Sequence, residues 1–396
     1  MLKFIKMNIN KCRFLLLITI MDIICGCNIK KDATTSGITT YQVKMSEESF
    51  FQWDEFVDKV ELIQLEMNKQ SVIGRFVSGF VDKDGIFVYH WSNLAYPMSS
   101  AKLLHFDLTG KFIKEIGQQG KGPGEFLEIR GFCIVDNYVY TLDYQKIHCY
   151  KKDSGKHIDS WSFHDETSFN PTSFVVFDKD NYYLWDTDPA NQGRNEGKYY
   201  HLREMRNGKM TSELFECHFS TNLDQRFTPC GDDSYLLKPI DGENIVYKLT
   251  KESLQASFAI DFGNMALSVE RVKELKNDKD RNAFFKSNAF KTIDNIFELK
   301  KHTYFQCIGP KSYSYEGLIN RQTGEVKFGR GRYIKNPQPF FSDGSVLYGY
   351  YDPSVLVNIQ VSDDQINKCF DNVKNLNVSD DDNLVIVKIY LKENTL

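Results

Sequence analysis

A chain of 396 residues with 41% hydrophobic and 14% aromatic side chains, among them 30 Phe and 21 Tyr, can bury a sizeable core, and its aromatic excess suits sheets better than helices. The charge is slightly acidic, −4 from 49 basic and 53 acidic side chains, and no Lys/Arg cluster of the nucleic-acid type occurs, so nucleic acid is excluded as an expected ligand. Length alone would allow two or three domains, but a repeat runs through most of the chain and argues for one.

In chain order, the first 27 residues read as an export signal: Lys3, Lys6, Lys11 and Arg13 precede an apolar run from Phe14 to Met21, and Ile24-Cys25-Gly26-Cys27 follows. The segment resembles a bacterial lipoprotein signal, with an aliphatic residue three before the cysteine, a small residue directly before it, and Cys27 as the lipidated residue. Asp22 departs from that pattern. The apolar run is well short of the roughly 20 residues a spanning helix needs. Acylation of Cys27 would hold the protein on a membrane surface, which predicts a cell-envelope protein, an outer-membrane lipoprotein facing the periplasm or the exterior. Loss of the signal takes four basic residues from 49 and Asp22 from the 53 acidic ones, leaving 45 and 52, a net charge of −7.

Residues 28–50 are expected to be a flexible tether, because Asn28 to Thr40 is rich in Lys, Thr and Ser. Order is predicted from there, with residues 51–396 as one domain. Val57 to Glu66 alternates apolar and polar residues as a strand does, with Val57, Leu62 and Leu65 among the buried candidates. It has no repeat unit of its own. Six aromatic-rich strands then recur, at Ile86 to Trp91, Tyr138 to Asp143, Tyr182 to Asp188, Tyr235 to Ile240, Thr303 to Ile308 and Val346 to Tyr351. Matching residues Tyr89, Tyr140, Leu184, Leu236, Tyr304 and Leu347 are 51, 44, 52, 68 and 43 residues apart, close to one four-stranded sheet per step. Radial repeats of that size predict an all-β, six-bladed β-propeller. Turn chemistry recurs with them, at Asp107-Leu108-Thr109-Gly110, Lys152-Asp153-Ser154-Gly155, Arg206-Asn207-Gly208 and Asn320-Arg321-Gln322-Thr323-Gly324.

Between the first two units lies Ile116-Gly117-Gln118-Gln119-Gly120-Lys121-Gly122-Pro123-Gly124-Glu125-Phe126. A phosphate-binding loop would need Gly-Lys-Ser/Thr opening a helix, whereas Lys121 is followed by Gly122 and Pro123 with a strand to come. The run is read instead as a tight inter-blade connection, with Phe126 anchored in the core. With the Tyr-Val-Tyr-x-x-Asp strand that follows, GKGPGEF resembles the NHL-like six-bladed β-propeller lipoproteins of gut-dwelling Gram-negative bacteria. The resemblance extends from about Val57 to Leu391, though no second GPGEF occurs. It implies a surface-exposed binding or scaffold role, of the kind associated with glycan or peptide uptake, and it carries over no catalytic residue.

The 68-residue step contains a predicted helical insertion near residues 265–299, where Val269, Val272, Leu275, Ala283, Phe284, Ala289 and Phe290 fall mostly at helical spacing. It is expected to pack on the side of the ring, with a lid over the central mouth or a contact with a partner as the alternatives. Leu384 to Leu391 is a last strong strand, and the two chain ends are expected to share one blade, closing the ring and removing open sheet edges. Of the six cysteines that remain after Cys27, Cys133, Cys149 and Cys307 sit among apolar strand neighbours as buried thiols, and a bridge from Cys217 to Cys230 is compatible with export.

Candidate ligand-binding residues gather at strand ends: Trp91, Asp143, Tyr144, Trp185, Asp186, Tyr350, Tyr351 and Asp352, with Asp188, Asp241, His90 and His148 as further polar groups. The aromatic members suit stacking on sugars or side chains. The carboxylates suit turn capping first, and no spacing matches a metal motif. No Gly-x-Ser-x-Gly elbow or HExxH occurs, so no catalytic residue is assigned. The favoured reading is a binding or scaffold module for a glycan, a peptide or an envelope protein, without cofactor. Two others stand beside it: a hydrolase or lyase using calcium in the central channel, and an envelope-assembly scaffold.

Overall fold

A computed structural model describes residues 37–44, 50–91, 101–163, 170–187, 199–217, 226–231, 233–238, 242–268, 270–271, 274, 280, 283, 289–290, 292–332, 336–361 and 367–393. The chain divides into Met1–Ile38 and a compact unit Thr39–Leu396, and the description below is of the second. Cys27 and the signal lie outside the described residues.

Six sheets follow one another. The first holds β3 (Arg75–Asp82), β4 (Gly85–Trp91), β5 (Ala101–Phe106) and β6 (Phe112–Glu115); the second β7 (Gly131–Val135), β8 (Tyr138–Leu142), β9 (Lys146–Lys151) and β10 (His157–Ser162). The third holds β11 (Ser173–Asp178), β12 (Asn181–Trp185), β13 (Tyr200–Arg206) and β14 (Lys209–Glu216). The fourth has β15 (Phe227–Pro229), β16 (Tyr235–Leu237), β17 (Ile245–Leu249) and β18 (Leu254–Asp261), and the fifth β19 (Thr292–Glu298), β20 (His302–Ile308), β21 (Ser314–Asn320) and β22 (Val326–Arg330). The sixth joins β23 (Gln338–Ser342), β24 (Leu347–Tyr351) and β25 (Val385–Leu391) to β2 (Val57–Gln64) from the other end of the chain. This is the predicted six-bladed β-propeller. The recurring aromatic strand is the second strand of every blade, and the predicted turns join third to fourth strands.

Burial explains why those second strands read as unbroken apolar runs. Side chains alternate across a strand, and here both faces meet a neighbouring blade. On β4, Ile86 and Val88 pack with Phe341 and Ile386 of blade six, while Phe87 and Tyr89 pack with Val139 and Tyr150 of blade two. On β12, Tyr182 and Leu184 face blade two and Tyr183 and Trp185 face blade four. The seam between blades four and five centres on Leu236, Val246, Ile293 and Phe305, and that between five and six on Tyr304, Leu347, Val387 and Ile389. Six such cores complete the circle, each fully buried aliphatic or aromatic residue contributing roughly 1.5–3 kcal/mol.

Closure is the expected pairing of the two ends. β2 runs antiparallel to β25 from Val57↔Leu391 to Gln64↔Val385. Helix α1 (Trp53–Phe56) enters the same seam, where Trp53 and Phe56 are buried against Tyr304 and Phe370. α2 (Pro353–Val361) and a 3₁₀ helix at Lys368–Asn375 fill the span between β24 and β25, with Leu356, Phe370 and Val373 buried.

Three expectations are corrected. The stretch read as tether over 28–50 contains β1 (Thr39–Gln42), which pairs in parallel with β18 as a fifth strand of blade four. Its Tyr41 is buried against Phe258, so a four-residue strand too short to signal itself covers a sheet edge. The helical insertion does not reach 299, because Thr292–Glu298 is β19. Glu270, Arg271, Asp280 and Ala283 are helical, while most of the segment, including Val269, Val272, Leu275 and Phe284, lies outside the described residues. Its ends meet, through an Ala266↔Phe290 bridge, and Phe290 stacks on Phe262 at 4.5 Å on the seam between blades four and five. No disulfide joins Cys217 to Cys230. Cys217 follows the last strand of blade three, whereas Cys230 sits past the innermost strand of blade four beside Ser234.

The glycine-rich run is the tight connection expected. Gly120 N–H donates to the Phe126 carbonyl, Gly122 N–H to Glu125 Oε2, and Phe126 is buried. Gly124 has φ +78°, and a Cβ there would stand 2.4 Å from His157 Cγ.

Candidate functional site: the mouth of the central channel

The innermost strands β3, β7, β11, β15, β19 and β23 meet around the axis. Each follows the same course, so their first residues share one end of the ring. There Arg75 opens β3 opposite Trp91, the last residue of β4, and Gln338 opens β23 opposite Tyr350. The connections carrying Tyr144, Tyr313 and the glycine-rich run lie at this end too, because second strands and fourth strands finish there.

A cavity of about 1450 Å³ occupies the channel and opens at this mouth. That exceeds the roughly 300–1,000 Å³ of an ordinary small-molecule pocket. Its wall is mainly aromatic and aliphatic, with half-buried Phe76, Phe80, Phe132 and Phe340 among its residues. At the rim, guanidinium groups lie over rings. Arg75 Cζ is 5.1 Å from the Trp91 ring centroid and Arg330 Cζ 3.5 Å from that of Tyr313, while Arg332 Cζ is 4.8 Å from Phe50. Tyr350 packs on Phe76 at 4.3 Å. Arg75 and Arg330 have no ion pair or hydrogen bond from the guanidinium among the described residues, whereas Arg203, Arg206 and Arg321, off the cavity wall, pair with Glu213, Glu204 and Glu298.

Deeper on the fifth blade a polar relay leaves the wall. Asn295 Nδ2 donates to Gln306 Oε1 at 2.8 Å, and both residues line the cavity. Behind them Trp53 Nε1 donates to Glu316 Oε2 at 2.9 Å. Burial pushes the Glu316 carboxyl up to about 7, against hydrogen bonds from Trp53 and Gln306 that favour the anion. Lys238 Nζ donates to the Asp294 carbonyl at 2.6 Å, also on the wall.

Of the sequence candidates, Trp91 and Tyr350 lie together on the cavity wall. Tyr144 is exposed, with Arg130 Cζ 4.0 Å from its ring centroid, off that wall. The others are occupied elsewhere. Trp185 is fully buried, stacked on His201 at 4.9 Å and covered by Arg226 at 5.1 Å, and Tyr351 is buried in the seam between blades five and six. Asp143 accepts from the backbone of Leu127 and Tyr144 and lies 3.6 Å from His148. Asp186 is buried and accepts from Asn170 N–H, and Asp352 caps α2 through Ser354. His90 Nδ1 accepts from Gly74 N–H, and Asp188 and Asp241 lie outside the described residues. Among the described residues no three His, Cys, Asp or Glu side chains converge as a metal site. Sequence reasoning missed Arg75, Arg330, Tyr313 and Phe50. Their one signal is an Arg at a strand terminus beside an aromatic, as in Gly74-Arg75-Phe76.

The family model described as Domain of unknown function (DUF4934) matches residues 38–390. No curated protein matches the chain in sequence. Among solved structures, a candidate exported protein of Bacteroides fragilis is similar, with 12% identity and a TM-score of 0.72 over 90% of this chain and 100% of that one, a likeness of fold. The extracellular domain of a candidate one-component system of B. thetaiotaomicron gives 13% identity and a TM-score of 0.32, over 68% of this chain and 29% of its own. The propeller domain of a Pyrococcus furiosus protease gives 11% and 0.38, over 70% and 78%.

Proposed function

The chain belongs to the DUF4934 family, and from that premise we propose that it is an exported, membrane-anchored β-propeller lipoprotein, held by lipid on Cys27, that binds a glycan, peptide or envelope protein at the mouth of its channel. One observation carries the binding reading. Guanidinium groups without acidic partners are stacked on Trp91 and Tyr313 around a large, open cavity. Stacking occupies the face of a guanidinium and leaves its edge N–H donors directed outward, a ready arrangement for a ligand. The lipobox pattern at Ile24 to Cys27 and the GKGPGEF resemblance support the envelope location.

The test is a glycan and peptide binding screen on the chain from Asn28, which retains every strand of the ring, with and without chelator. Arg75→Ala/Arg330→Ala is run beside it. The proposal expects hits that the double variant loses and chelator leaves alone. Hits unaffected by the double variant would move the site elsewhere, and hits abolished by chelator would favour the calcium-dependent hydrolase. Export and anchoring are checked separately by labelling with a fatty-acid probe, which Cys27→Ser should abolish.

A further inference from the structure

Resting on that reading's site and going beyond its ligand classes, we infer that the mouth takes an organic carboxylate with a long apolar body, its carboxylate at the rim that carries Arg75 and Arg330 and its body lying down the channel. Three observations converge on this class. First, the two arginines flank blade six at the rim, one on β3 of blade one and the other at the end of β22 of blade five. Neither guanidinium has an acidic partner among the described residues, so the rim is locally cationic on a chain whose net charge is −4. An arginine fork presents parallel N–H donors that match a carboxylate in bidentate fashion.

Second, the wall beneath the rim is built for apolar contact. Phe76, Phe80, Phe132 and Phe340 line the cavity half-buried. Phenylalanine has no polar atom to share with a sugar hydroxyl, and water left against such rings is gained back when an apolar chain displaces it. Third, the cavity is too large for a small acid to fill, at about 1450 Å³. The polar relay at Asn295 and Gln306 is confined to the fifth blade, which leaves the phenylalanine side of the channel for the apolar body.

Calorimetry on the chain from Asn28 with octanoate, decanoate, octanol, acetate and a galacturonic acid trimer tests this directly. Octanoate is expected to bind at least tenfold more tightly than octanol, and acetate not measurably. Each added methylene should tighten binding roughly threefold to fourfold. Arg75→Ala/Arg330→Ala should bring octanoate down to the level of octanol and leave octanol unchanged, and R75K/R330K should recover part of the loss by charge alone. Melting temperatures of the variants within a few degrees of the parent identify any loss as loss of binding. Octanol binding as tightly as octanoate, or the Ala pair binding octanoate normally, would overturn the inference. So would binding of the trimer without octanoate, although the mouth would then still be a binding site; silence from these probes and from the glycan and peptide screen together would sink both.

Discussion

Trp91 and Trp185 end equivalent strands, yet one stands at a rim and the other is sealed in a seam. What separates them is their neighbours: Trp91 has Arg75 beside it and open space ahead, while His201 and Arg226 enclose Trp185. A second-strand aromatic at a strand end is visible in the sequence; whether another blade covers it is not. The two titrating groups buried most informatively act in opposite directions. Glu316 is held up to about 7 by burial, against an ordinary 4.5, so its contribution to stability is complete below pH 4.5 and is lost as pH rises through 7. His90 is pushed down to about 4 by burial, so its contribution is complete above 6.5 and is lost as pH falls through 4. Glu316→Gln should therefore gain on the parent as pH rises from 5 to 8, by on the order of 3 kcal/mol in unfolding free energy from denaturant titrations; parallel curves would refute the assignment. At Gly85, φ is +146° and a Cβ would lie 2.1 Å from the Phe106 carbonyl oxygen. Gly85→Ala is expected to cost at least about 2 kcal/mol by chemical denaturation.

At the level of the strand, legibility followed burial. Second strands face two blades and so carry aromatic runs, which is why all six could be read, while four of the turns from third to fourth strands were read from their Asn, Asp and Gly. Innermost strands face the channel on part of their surface and range from the three residues of Phe227–Pro229 to the eight of Arg75–Asp82, so they set no common signal, and of these the sequence showed the strand after the glycine-rich run. β19 was hidden for another reason, since Ile293, Ile296 and Phe297 continue an apolar spacing already taken as helical. The fastening of β2 to β25 was legible because both are long. Val387 on β25 is fully buried in the seam between blades five and six, so Val387→Asp would place a charge there without a partner. A loss of more than about 4 kcal/mol is expected, with cooperative melting abolished or strongly lowered. Removing residues 28–43 deletes β1 and should lower the melting temperature modestly while leaving β-sheet circular dichroism intact.

Across the whole ring, an acidic molecule presents a cationic rim, and that contrast has a measurable signature. Exposed Arg75 and half-buried Arg330 act through solvent at the mouth, so octanoate affinity should fall severalfold between 0.05 and roughly 0.5 M salt as the Debye length shortens from over 10 Å to about 4 Å. Octanol affinity should not fall with it. The fold was legible at this scale because radial repetition is written into the spacing of strands, whereas the rim was not, because its arginines come from units 1 and 5 and share one cavity only once the circle is complete. The seam that completes it has a consequence for how the protein comes into being. Its two halves are among the earliest and the latest structured segments to be synthesised, so any nascent or threading polypeptide is an unlatched horseshoe, and the binding rim exists only after the final strand has arrived.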